Sequence, residues 1–203
     1  MSALGATTSR LLGPSSPRRI LLIAATAVSA LTVGACTIDH KLDRPRYADT
    51  EAQYVNAGGV TYQVQITRQL NPWATEDSAY LHGVQPALLK LAPDQLWFGV
   101  FIWARNQTHR DLNTTDTFTI RDSAGTVYRS TPIVAYANPF AWISQRLPPG
   151  GIEPAPDTMA SYGPTQGGLI LFKLYDSVYS NRPLTLNIYA PGQSFPTRVS
   201  LDL

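Results

Sequence analysis

Apolar and polar side chains alternate over residues 60–67, with Val60, Tyr62, Val64 and Ile66 on one side and Thr61, Gln63, Gln65 and Thr67 on the other. Period two predicts a strand with one dry face and one wet face, ended by Asn71-Pro72. Residues 95–105 (QLWFGVFIWAR) have no wet face. Leu96, Phe98, Val100, Ile102 and Ala104 share one side, and Trp97, Phe101 and Trp103 share the other. That pattern predicts a central strand covered on both sides. Residues 117–121 and 126–130 read as a hairpin about Asp122-Ser123-Ala124-Gly125, where Gly125 is free to take positive φ. A further buried strand is predicted at 168–176 (GLILFKLYD), and alternation returns at 184–189 and 199–203. Gly58-Gly59 and Gly167-Gly168 precede strands and mark bends. Strands at this spacing, with no long helix, predict an all-β, antiparallel sandwich of about seven or eight strands. Two stretches fit no clean strand: Asn71–Pro93, and the aromatic, proline-rich 132–149.

The N-terminal pattern is of another kind. Polar and basic residues to Arg19 precede an apolar run, Ile20–Val33, of about 14 residues. This is short of the roughly 20 that a spanning helix needs, and the arrangement predicts an export signal over residues 1–35. Its end, Leu31-Thr32-Val33-Gly34-Ala35-Cys36, resembles the bacterial lipobox: an aliphatic residue and small residues ahead of a cysteine. The resemblance implies cleavage before Cys36, a diacylglyceryl thioether on its sulfur, and attachment to the extracytoplasmic face of the cell membrane through two or more acyl chains. Residues 36–57 are polar and without period, and they read as a flexible tether. The twenty residues Thr37–Asn56 would stretch to roughly 65 Å; the alternative is that part of them packs on the domain as an edge. The globular domain is expected over 58–203.

Charge and chemistry narrow the function. Three of the 16 Lys/Arg precede Cys36, which leaves 13 against 14 Asp/Glu in the mature chain. No basic cluster survives, so binding to nucleic acid through phosphates is not expected. The single cysteine excludes an internal disulfide. No Gly-x-Ser-x-Gly elbow occurs, and His40, His82 and His109 lie in the tether or in loops, so no catalytic triad is expected. Ligand spacing for copper or calcium is absent, and no metal or cofactor is expected.

Residues 96–120 (LWFGVFIWARNQTHRDLNTTDTFTI), followed by RDSAGTVYRS, resemble a recurring unit of secreted bacterial immunoglobulin-like domains. The unit is a hydrophobic strand, an asparagine and polar loop, a short F-x-I strand, then D-x-x-G-x-x-Y. Here these are Asn106, Phe118, Ile120, Asp122, Gly125 and Tyr128. Residues 147–151, the strand about Leu171-Phe172 and the closing residues 199–203 extend the match. The chain is thereby similar to a lipoprotein family of unknown function akin to the mycobacterial immunoprotective extracellular proteins. The resemblance implies an immunoglobulin-like fold and an extracytoplasmic location, and it carries no catalytic residues. Departures from it fall at Asn71–Pro93 and Tyr136–Trp142.

Loops carry binding sites more often than strands do, and exposed aromatics suit partners. Trp73, Tyr80, Tyr136, Phe140 and Trp142, in those irregular segments, are therefore the candidate binding residues. The alternative reading is that they cap the sandwich as core. Trp97, Phe101 and Trp103 are expected in the core. The expectation is a non-catalytic cell-envelope lipoprotein that binds another envelope protein through loops or an edge strand. The alternative is a carrier or sensor of a small ligand, with an apolar pocket between 71–93 and 136–149.

Overall fold

In a computed structural model, residues 45–163 and 165–201 are described. The signal segment, the lipobox, Cys36 and Leu203 lie outside them. The described chain forms twelve strands: β1 (Tyr47–Ala48), β2 (Tyr54–Ala57), β3 (Val60–Leu70), β4 (Gln95–Asn106), β5 (Leu112–Asn113), β6 (Phe118–Arg121), β7 (Val127–Thr131), β8 (Arg146–Leu147), β9 (Ile152–Glu153), β10 (Gly168–Tyr175), β11 (Leu184–Ile188) and β12 (Thr197–Leu201). Twelve is more than the predicted seven or eight; eight of them have four or more residues, and one of these, β2, lies where no strand was predicted. The other four are two-residue pairings, too short to show a period.

One layer has the order β1-β12-β11-β6-β7, and the other has the order β7-β10-β4-β3-β2, with β9 beside β4. Strand β7 belongs to both: Val127–Arg129 pair with β6, and Ser130–Thr131 pair with β10. Pairing is antiparallel apart from β1 with β12, which is parallel. Between the layers lies the main core. Val60, Tyr62, Val64, Phe98, Val100, Ile102 and Phe172 from one sheet pack against Phe118, Ile120, Leu184, Leu186, Ile188 and Val199 from the other.

Three expectations need correction. Ile66 was placed on the dry face with Val64, but the register of β3 against β4 shifts between Val64 and Ile66. An extra residue turns the following side chains over, and Ile66 is 43% exposed. The segment 36–57 is not a tether along its described part. Residues 45–57 carry β1 and β2, and the Asn56 amide donates to the Pro45 carbonyl (3.0 Å) while the Thr197 hydroxyl donates to the Asn56 carbonyl (2.6 Å). These contacts join the two outer strands of the sandwich and occupy part of the edge that a recruited strand would use. Finally, Trp103 is only half-buried, whereas Trp97 and Phe101 are in the core as expected.

The family-like motif residues are structural. Gly125 takes φ +93° in the hairpin turn. An Asp122 carboxylate oxygen accepts the Thr126 amide (2.8 Å), and the other accepts the Tyr128 hydroxyl (3.2 Å). Burial first, and then the Asp122 charge, raise the Tyr128 hydroxyl above its ordinary pKa. Asn106 is fully buried, and its amide donates to the carbonyls of Arg110, Leu147 and Pro148. One side chain thus ties strand β4 to two loops.

Candidate functional site

The second apolar face of β4 has to be covered, because Trp97 and Phe101 point away from the main core. The cover comes from the two irregular stretches. Short helices α1 (Thr75–Ser78) and α2 (Pro86–Leu89), a 3₁₀ turn at Ala79–Leu81 and the strand-free run 132–142 form a cap over sheet β10-β4-β3. A second apolar cluster results, made of Leu70, Tyr80, Leu81, Val84, Trp97, Phe101, Phe140, Leu169 and Leu171.

Asn138 joins the halves of this cap. It is buried, its amide donates to the Tyr80 and His82 carbonyls (both 2.9 Å), and its oxygen accepts the Phe140 amide (2.9 Å). The Val134 amide donates to the Gly83 carbonyl (2.9 Å). Gly83 has φ +77°, and a Cβ there would stand 2.7 Å from the Val134 carbonyl oxygen, so both conformation and space require glycine.

The five candidate aromatics separate into two groups. Tyr80 is buried, meets Phe101 and Phe140 edge-on at 5.1 and 4.8 Å between ring centroids, and donates its hydroxyl to Thr165 (3.0 Å). Phe140 is buried in the same cluster. Trp142 packs between Tyr62 and Phe118 and donates its indole N–H to the Thr115 carbonyl (2.8 Å). Tyr80 and Phe140 are packing residues with almost no exposed surface, and Trp142 is half-buried against the main core. Trp73 and Tyr136 are 91% and 96% exposed. Tyr136 lies in a 3₁₀ turn beside the 82–84 segment and does not line the pocket described next.

A pocket of about 700 Å³ opens in the cap beside Trp73. Trp97 contributes from the sheet, Leu81, Leu89 and Leu91 form apolar walls, and Pro72, Trp73 and Pro86 complete the apolar lining. Ser78, His82 and Lys90 are its polar residues. The predicted pocket between 71–93 and 136–149 is corrected accordingly. The lining comes from 72–97 alone, because residues 133–142 are used up in bracing the cap. Sequence reasoning did not single out Leu81, Leu89, Leu91 or His82 as lining. The signal was the leucine spacing of 81–91, which is too irregular for either period.

The Ser78 hydroxyl donates to the Thr75 carbonyl (2.8 Å), so it is tied to its own helix instead of to His82. No acid lines the pocket to orient His82. The titratable group with the largest upward shift among the carboxyls is elsewhere. Glu153, in β9 at one end of the sandwich, is 5% exposed, accepts a hydrogen bond from Gln145, and is pushed by burial up to about 7. Burial also raises Tyr62 well above the ordinary tyrosine range. The Tyr62 hydroxyl accepts the Thr115 amide (3.1 Å). Among the described residues, no group of three or more His, Cys, Asp or Glu lies together as a metal site, and Asp111 is paired with Arg146.

The sequence matches no protein-family description and no curated protein. Solved structures with a similar course of the chain come from bacteria. The yjhA protein of Bacillus subtilis has a TM-score of 0.47 at 12% identity, over 76% of this chain and 99% of that one. The ycdA protein of Bacillus subtilis, named as a candidate lipoprotein, has 0.46 at 13%, over 75% of this chain and 38% of that one. An uncharacterized β-sandwich protein of Clostridium difficile has 0.40 at 13%, over 76% and 93%. No family comparison supports the mycobacterial resemblance.

Proposed function

We propose that the chain is a non-catalytic lipoprotein of the bacterial cell envelope, held by lipid on Cys36, that binds an apolar ligand in the pocket beside Trp73. The observation that carries the reading is that pocket of about 700 Å³. It lies in the range of small-molecule sites and is lined mostly by leucine, proline and tryptophan. It is built from the chain that covers the outer face of β4, with Trp97 of that strand in its lining. The membrane reading rests on the lipobox-like residues 31–36 and the short apolar run before them.

A partner protein is the second reading, favoured by the exposure of Trp73 and Tyr136. An apolar side chain of the partner would enter the same pocket. Edge-strand recruitment has less to support it, given the contacts of Asn56 with Pro45 and Thr197.

The test has two arms. Intact-mass analysis of membranes from cells expressing wild type and Cys36→Ala should find Cys36–Leu203 plus lipid in the first alone. An unmodified cysteine in the wild type would remove the anchor. Fluorescence titration of residues 37–203 with an apolar dye should saturate, and Trp73→Ala should weaken it. Binding unaffected by Trp73→Ala would remove the pocket from the reading.

A further inference from the structure

Apolar walls do not by themselves select a ligand, but the charges around this pocket are one-sided. Its polar lining is Ser78, His82 and Lys90, with no acid. A second cation stands at the same end. Lys173 lies opposite Trp97 in the β10–β4 register. Its ammonium sits 4.9 Å from the Trp97 ring centroid and donates to the Lys90 carbonyl (2.8 Å). Trp97 is part of the pocket lining, so Lys173 is held against the same ring that a ligand would meet.

The neighbouring acids do not neutralise this end. Asp77 is committed to Arg68 and to the Asn71 amide (2.8 Å). Glu76 and Asp94 are exposed and outside the lining. Among the described residues the ion pairs are Arg68–Asp77 and Arg146–Asp111, so neither Lys90 nor Lys173 has a carboxylate partner. A cation beside an apolar wall attracts an anion more strongly than one in open water, because the wall lowers the local dielectric.

We infer that the pocket takes an amphipathic anion: a slender apolar body, such as an acyl chain, with a carboxylate or phosphate head placed toward Lys90 and Lys173. The inference rests on the pocket being the binding site, as proposed above. Apolar walls from Leu81, Leu89 and Leu91 take the body, and the two lysines take the head.

The experiment is calorimetric titration of residues 37–203, which contain both apolar clusters in full, with laurate, dodecyl phosphate and dodecan-1-ol as monomers in solution. The expected result is that one or both anions bind about tenfold or more tightly than the alcohol, an advantage of the size expected for a charge-assisted contact. The order of the two anions then distinguishes a carboxylate source from a phosphate source. Lys90→Met should remove most of the anion's advantage over the alcohol, and Lys173→Met should act in the same direction. Equal affinity for all three, with Trp73→Ala weakening each, would overturn the charge inference and leave the pocket standing. No binding of any of the three would overturn both.

Discussion

Each sheet of the sandwich turns one face outward, and the two outer faces have opposite solutions. On the β12-β11-β6 side, Arg198, Asn187, Thr119 and Arg129 are successive neighbours across the strands, with Tyr47 beyond Arg198 and Thr185 beside Arg121. That face is polar and needs no cover. On the β4-β10 side the outward residues are Trp97, Phe101, Leu169 and Leu171, and more than thirty residues of irregular chain cover them. A sandwich is complete without such a cap. The other face has a hollow of its own, of about 330 Å³ and bounded by Tyr47, Arg121, Thr185, Asn187 and Arg198, but the added chain creates one of about 700 Å³ with a mostly apolar lining, which is why the capped face is where an apolar ligand is sought.

The sharpest way to break the comparison is to unlock the cap. Asn138→Ala should remove three hydrogen bonds, two of them buried, and leave the Tyr80 and His82 carbonyls without the Asn138 amide. The expected cost is about 3 kcal/mol by urea unfolding. Hydrogen exchange should rise in 72–97 and stay low in β11 and β12; a uniform rise would mean that the cap and sandwich are one cooperative unit.

Next in size is a control outside both faces. Glu153 has an ordinary value of 4.5 and about 7 in the fold. The folded protein therefore holds a proton that the unfolded chain releases. This contribution is complete below about pH 4.5 and is lost as pH rises through 7. Wild type should lose about 2 kcal/mol between pH 5 and pH 8, allowing for residual hydration. Glu153→Gln should lack that slope. An unchanged slope would place the titration elsewhere.

Gly83→Ala should cost roughly 1–2 kcal/mol, since alanine must adopt φ +77° against the Val134 carbonyl. It should also loosen the pocket. Smallest of all, Arg198→Ala on the bare face should change stability by less than about 0.5 kcal/mol and leave ligand affinity untouched. A loss of affinity there would mean that the bare face binds as well.

How much of this was legible in the sequence depends on what each residue's surroundings required. Strand β4 was readable because both of its alternating sets are apolar, and the hairpin β6–β7 because Asp122 and Gly125 carry turn chemistry. The burial of Tyr80 and Phe140 was implied by the same β4 pattern. Trp97 and Phe101 needed a cover, and the uncommitted segments 71–93 and 132–149 were the chain available to supply it. Aromatics in irregular chain were read as candidate binding residues, with packing as core the alternative; of the five, Trp73 and Tyr136 are exposed, Trp142 is half-buried, and Tyr80 and Phe140 are core. The bulge near Gln65 left no trace in the alternation, because Ile66 keeps the apolar period while changing faces. Strand β1 has two residues and no period, so its pairing with β12 depends on tertiary contacts. Lys173 reads as the one polar residue of a buried strand, and its relation to Lys90 arises from the fold.

The most direct measurement is a two-dimensional amide NMR titration of residues 37–203 with laurate. Shifts concentrated in 72–97, with Lys173 and its neighbours, and absent from β11 and β12, are the predicted result. Shifts centred on Arg198, Asn187 and Thr119, with the cap unmoved, would contradict the assignment of binding to the capped face.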